Sequence, residues 1–119
     1  MRTIMLCLNQ LGIGGVETAV LNQVIQFIKL GYRVLILASD GIYREKFEQE
    51  GAIFIDFTYK IENECSLDKI ERIIKILEEY KVEQVHIHQF DCINTVFPAC
   101  MIKKIPYVAY LHNGIPRSI

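Results

Sequence analysis

Two rhythms of apolar residues alternate along this chain. Thr3 to Leu8 is a short apolar run with no helical period, whereas Val16, Ala19, Val20, Val24, Phe27 and Ile28 recur at helical spacing. Gly31 follows where a helix C′ residue with positive φ is expected. Arg33 to Ala38 is a second apolar strand, closing on Ser39-Asp40-Gly41, and a shorter helix covers about Tyr43 to Glu50 before Gly51. Ile53, Ile55 and Phe57 alternate within Ala52 to Phe57, which predicts an edge strand with one wet face. Leu67, Ile70, Ile74 and Leu77 keep one face of a further helix, with Ser66 as its N-cap. Val82 to His88 reads as a fourth strand and Pro106 to Leu111 as a fifth. The helix between them is placed at about Thr95 to Lys103, because Pro98 is comfortable only in a first turn.

Strands that are apolar on both faces, alternating with helices, predict an α/β fold: a Rossmann-like parallel sheet, strand order 3-2-1-4-5, with helices on both faces. Composition agrees with a packed domain. Of 119 residues 51% are apolar and 23% charged, which excludes disorder. A net charge of −1 supplies no field for nucleic acid. The longest uncharged apolar run, Ile93 to Ile102, contains Pro98 and is far below the ~20 residues that span a bilayer. The opening residues read as a strand and not as a signal peptide, and a cytoplasmic location is expected. Cys7, Cys65, Cys92 and Cys100 show neither CxxC spacing nor a disulfide framework and read as small hydrophobes.

The candidate chemistry begins in the loop after the first strand. Gly12, Gly14 and Gly15 lead into a helix, so backbone amides and the positive helix end can face a ligand. The same glycines would also serve a tight turn. The dinucleotide fingerprint is half present, but its third position is Glu17, which would crowd the helix–strand contact and oppose a pyrophosphate. Asp40 remains available as a ribose-binding acid. No Lys-Ser or Lys-Thr follows the glycines, so the Walker form fails. His86 and His88 lie two apart on a strand and share a face. With Asp91 and Cys92 they spell out a metal set on paper, but the spacing fits no zinc pattern, and no metal is expected. His86 reads as a buried, hydrogen-bonded histidine, while His88 and His112 end strands, where ligands of open α/β sheets bind. Lys103-Lys104 alone is too little for a membrane patch.

Three segments resemble one family. Gly14-Gly15-Val16-Glu17-Thr18-Ala19 resembles the GGxE loop of glycosyltransferase family 4. Gln84-Val85-His86-Ile87-His88 resembles its fourth strand, which commonly ends in H-x-H, and Ile105 to Gly114 resembles its fifth. The resemblance implies the GT-B architecture, two Rossmann-like domains around a cleft, with this chain as the first part of the N-terminal, acceptor-side domain. It implies a retaining transfer of sugar from a sugar nucleotide to a glycan, lipid or small-molecule acceptor, and no cofactor. His112 would be the catalytic residue, with Gly14, Gly15, His88 and Asn113 binding substrate. Asn113 departs from the family's simpler His-Gly form.

The C-terminal donor-binding domain, with its paired glutamates, has no counterpart here, so the chain alone is expected to be inactive. The partners expected in the full enzyme are the donor, the acceptor and a peripheral membrane contact. A homodimer of the chain through the edge at Tyr107 to Leu111 is also expected. Two alternatives stay open: a non-catalytic subunit completed by a separate donor-binding chain, and a dinucleotide-binding Rossmann domain.

Overall fold

A computed structural model describes residues 2–12, 14–59 and 66–110. Its elements run β1 (Thr3–Gln10), α1 (Gly15–Lys29), β2 (Arg33–Ser39), α2 (Arg44–Gln49), β3 (Ile53–Asp56), α3 (Ser66–Glu79), β4 (Gln84–Ile87), α4 (Phe90–Lys103) and β5 (Tyr107–Ala109). The five strands form one sheet in the order β3-β2-β1-β4-β5, and every pairing is parallel. This is the expected α/β, Rossmann-like arrangement.

The period-2 geometry of the strands divides the core into two layers. Ile4, Leu6, Leu8, Val34 and Ile36 pack with Val20, Val24 and Phe47 beneath α1 and α2. Met5, Cys7, Leu35, Leu37, Val85 and Ile87 pack with Ile73, Leu77, Val96 and Ala99 beneath α3 and α4. The helices therefore cover both faces, which is why the central strands read as unbroken apolar runs. Gly31 and Gly51 have φ of 90° and 99°, the left-handed values that let the chain leave α1 and α2.

Three local expectations are corrected. Helix α4 starts at Phe90, so Pro98 lies inside it and not in its first turn. An interior proline costs about 3 kcal/mol, because residue 98 donates no N–H to the carbonyl of Asn94. Cys92, Val96, Ala99 and Cys100 lie on one helical face and are fully or almost fully buried. At about 0.8 kcal/mol per buried carbon, that face outweighs the loss. In α3 Leu77 is buried and Ile70 and Ile74 pack partly buried against the core as expected, but Ile73 is the stripe's fully buried residue and Leu67 is 66% exposed. Ser66 is its first helical residue; its side chain lies outside the described set. Finally, β3 is the expected edge strand, but water is not confined to one face: Ile53 and Asp56 are exposed, while Phe54 packs toward the α1 layer under the Arg44 guanidinium, 4.5 Å from the ring centroid, and Ile55 packs toward the α3 layer.

Cys7, Cys92 and Cys100 are buried. Cys65, Leu111, His112 and Asn113 lie outside the described residues. Among the described residues no helix is long and apolar enough to cross a membrane.

Candidate functional site

The strand order reverses between β1 and β4, which opens a crevice beyond their carboxyl ends. The loop from β1 into α1 borders it. Leu11, fully buried, anchors that loop: its N–H donates to Ser39 O at 3.0 Å, and its carbonyl accepts from Tyr43 N at 2.9 Å. Gly41 makes this contact between loops possible. A Cβ there would stand 2.6 Å from the carbonyl carbon of Leu11 and closer still to its oxygen.

Gly14 is the N-cap of α1 and is extended, with φ 176°, so no left-handed backbone requires a glycine there. What glycine supplies is room and the absence of a side-chain cap. A Cβ on Gly14 would meet the Glu17 carboxylate at 3.3 Å, and one on Gly12 would meet it at 3.6 Å. Glu17 is only 8% exposed and folds its carboxylate under the loop, a position the sequence pattern did not reveal. Thr18 ties the turn by donating its N–H and Oγ1 to Gly14 O at 3.2 and 3.0 Å. Gly15 opens the helix, is exposed, and has nothing within 4 Å of where a Cβ would point. The N-cap Gly14 makes no side-chain cap hydrogen bond, so this helix start brings first-turn amides to the crevice border, with Glu17 as the acidic residue of the turn.

The other wall comes from β4 and β5. Gln89, the extended N-cap of α4, accepts the Asn9 N–H on its Oε1 at 2.5 Å and so joins the ends of β1 and β4. His88 donates its backbone N–H to Cys7 O at 3.0 Å. Its imidazole is buried and stacks on Tyr110, with ring centroids 4.3 Å apart and planes at 12°. His86 shares that face, as its spacing required. Its Nδ1 lies 2.7 Å from Tyr110 Oη and its Nε2 lies 3.1 Å from Gln84 Oε1. Burial holds the His86 pKa below the ordinary histidine value.

The structure thus brings Gly14 and Gly15 to one side of the crevice and places His88 at the end of β4, inside a ring stack. The expected His112 and Asn113 lie outside the described residues. Asp40 is engaged locally, accepting from Gly41 N at 2.8 Å and pairing with Arg44 at 3.0 Å. Sequence reading missed Gly41, Gln89 and Tyr110. Only Tyr110 left a signal, its parity with His88 once β4 and β5 pair. Among the described residues no group of three or more His, Cys, Asp and Glu could hold a metal ion. A separate groove of about 390 Å³ lies at the β3 edge, lined by Asp56, Phe57, Thr58, Arg72, Lys75 and Ile76.

A parallel sheet with a glycine-opened helix at its switch point defines a Rossmann-like domain. The model of Glycosyltransferase Family 4 matches residues 13–119, and the chain belongs to that family. No match was found among curated proteins. Solved structures similar in fold include a glycosyltransferase from Rickettsia africae, with TM-score 0.78 and 19% identity, covering 98% of this chain and 32% of that one. Acinetobacter baumannii MurG is similar at TM-score 0.73 and 15% identity, over 92% of this chain and 34% of its own. The C-terminal domain of a Pyrococcus furiosus hydrogenase is similar at 0.68 and 15%, over 92% and 91%. The chain therefore spans about a third of the length of the first two, and these likenesses concern the fold.

Proposed function

We propose that this chain is the first part of the N-terminal, acceptor-side domain of a retaining glycosyltransferase, whose donor-binding domain lies outside these 119 residues. The observation that carries the reading is the family match over residues 13–119, which includes the glycine-opened start of α1 at the crevice. The substrates are a sugar nucleotide and a hydroxyl-bearing glycan, lipid or small-molecule acceptor. In this reading the amides of Gly14 and Gly15 and the helix dipole act on charge developing at the leaving diphosphate, or orient the acceptor. His112 orients hydroxyl groups at the reacting centre, with Asn113 beside it, and His88 borders the acceptor side. Glu17 stands at the third position of the dinucleotide fingerprint, and its bulky buried side chain there, where a small residue is needed for close helix–strand packing, disfavours the alternative of a dinucleotide site. The domain works in the cytoplasm with a peripheral membrane contact in the full enzyme.

The test is turnover of a panel of sugar nucleotides by the product of the complete gene, with product anomers assigned by NMR. Transfer with retention at the anomeric carbon is expected, and none from the 119-residue chain alone. Turnover of NAD or NADP in place of sugar nucleotides would refute the reading, and an inverted product would refute its stereochemistry.

A further inference from the structure

One face of the sheet changes character partway across. Toward α1, β1 presents Ile4, Leu6 and Leu8, all buried and apolar. In β4 the residues in register with Ile4 and Leu6 are Gln84 and His86. His86 is 5% exposed and His88 is 2% exposed, so both imidazoles leave water on folding. An apolar side chain would fill these places at less cost, since buried polar groups must be hydrogen-bonded to be tolerated. What a polar cluster adds is fixed geometry.

The geometry is well defined. Gln84 Oε1 can only accept, so His86 Nε2 carries the proton and Nδ1 presents its lone pair. The Tyr110 hydroxyl therefore donates to Nδ1, at 2.7 Å. On its other side His86 meets the edge of Phe27 from α1, with centroids 5.4 Å apart. The Tyr110 ring lies along both imidazoles, 5.5 Å from His86 and 4.3 Å from His88. The Tyr110 backbone N–H donates to Ile87 O at 2.8 Å, which closes the β4–β5 ladder at the crevice end. One tyrosine thus locks three things together: the end of β5, the ring of His86 and the ring of His88.

We propose that Tyr110 and His86 are positioning residues for sugar transfer, holding His88 and the crevice end of β5 in a single arrangement. This rests on the glycosyltransferase reading above. Neither residue needs to touch substrate. Tyr110 acts through the stack on His88 and through its backbone bond to β4. His86 acts by fixing where the tyrosine hydroxyl sits. Displacements near 1 Å at a reacting centre are enough to depress turnover strongly, whereas ground-state binding of a distant nucleotide is insensitive to them.

The experiment compares Y110F, H86L and H86N with wild type in the product of the complete gene, measuring kcat, donor KM and melting temperature. Y110F keeps the ring and removes the hydrogen bond. H86L removes the acceptor, and H86N restores an acceptor near the position of Nδ1. We expect kcat to fall roughly ten- to a hundredfold in Y110F and H86L, with donor KM changed by less than about twofold, and H86N to recover most of the loss. Wild-type kcat in Y110F would overturn the proposal alone. So would equal losses in all three variants that follow their melting temperatures. A wild-type enzyme that turns over no sugar nucleotide would overturn the functional reading, and the proposal with it.

Discussion

Gly41→Ala tests whether the glycine loop is held by the loop that follows β2. Gly41 has no left-handed backbone requirement among the described glycines, where only Gly31 and Gly51 have positive φ, so the effect is one of space. The new methyl carbon would stand 2.6 Å from the Leu11 carbonyl carbon and 3.2 Å from Gly12 N, both of them backbone atoms with no rotamer to escape into. The two loops must part by roughly 1 Å to restore ordinary contact. That movement stretches the Leu11 N–Ser39 O and Tyr43 N–Leu11 O bonds, now 3.0 and 2.9 Å, beyond hydrogen-bond length. Losing two such bonds beside a fully buried residue, with overpacking, comes to about 2–4 kcal/mol. With a urea slope of about 2 kcal/mol/M, the unfolding midpoint falls by about 1–2 M. Circular dichroism during urea titration is the assay, with Gly15→Ala as control. That control adds a methyl group to open space in a helix and should leave stability equal or up to about 1 kcal/mol higher. A Gly41→Ala midpoint equal to wild type would refute the claim that the two loops are packed backbone to backbone.

Other expectations follow from single groups. Burial lowers the His86 pKa below 6.5, so the folded state binds fewer protons than the unfolded state between the lowered value and 6.5. The stability from neutral His86 is complete above that window and is lost as pH falls through it; urea midpoints should decline as pH falls below 6.5 in wild type and less in H86N. Burial pushes the Cys7 thiol far up and that of Cys100 to about 11, so neither should react with a thiol reagent at neutral pH until the chain unfolds, as mass mapping would show. Lys104 caps α4 with φ 56°, so Lys104→Gly should raise stability by about 0.5–1 kcal/mol in the same urea assay.

The sheet order was legible because burial on both faces forces the central strands into apolar runs, and because glycines such as Gly31 and Gly51 stop their helices. Signals of that kind are local. What escaped the sequence is carried by contacts between distant segments. Gly41 matters because Leu11, thirty residues earlier, lies against it. Glu17 looks like an ordinary first-turn carboxylate until the loop closes over it. Pro98 misled the start of α4, since proline marks first turns, yet the stripe through Cys92, Val96, Ala99 and Cys100 was strong enough to carry the helix through it. In the candidate site, the glycine loop and the shared face of His86 and His88 could be read from spacing. Tyr110 left only its parity with His88, which gains meaning once β5 is paired beside β4.

Gly15→Val in the product of the complete gene measures the central claim most directly. The valine side chain would point where the structure has nothing within 4 Å, so the fold has no reason to change. If the opening of α1 faces the reacting sugar, the same side chain enters ligand space. The account predicts an unfolding midpoint close to wild type and sugar-nucleotide turnover reduced by about a hundredfold or more. Full turnover in a normally folded Gly15→Val enzyme would contradict it and leave the loop as a connection between a strand and a helix.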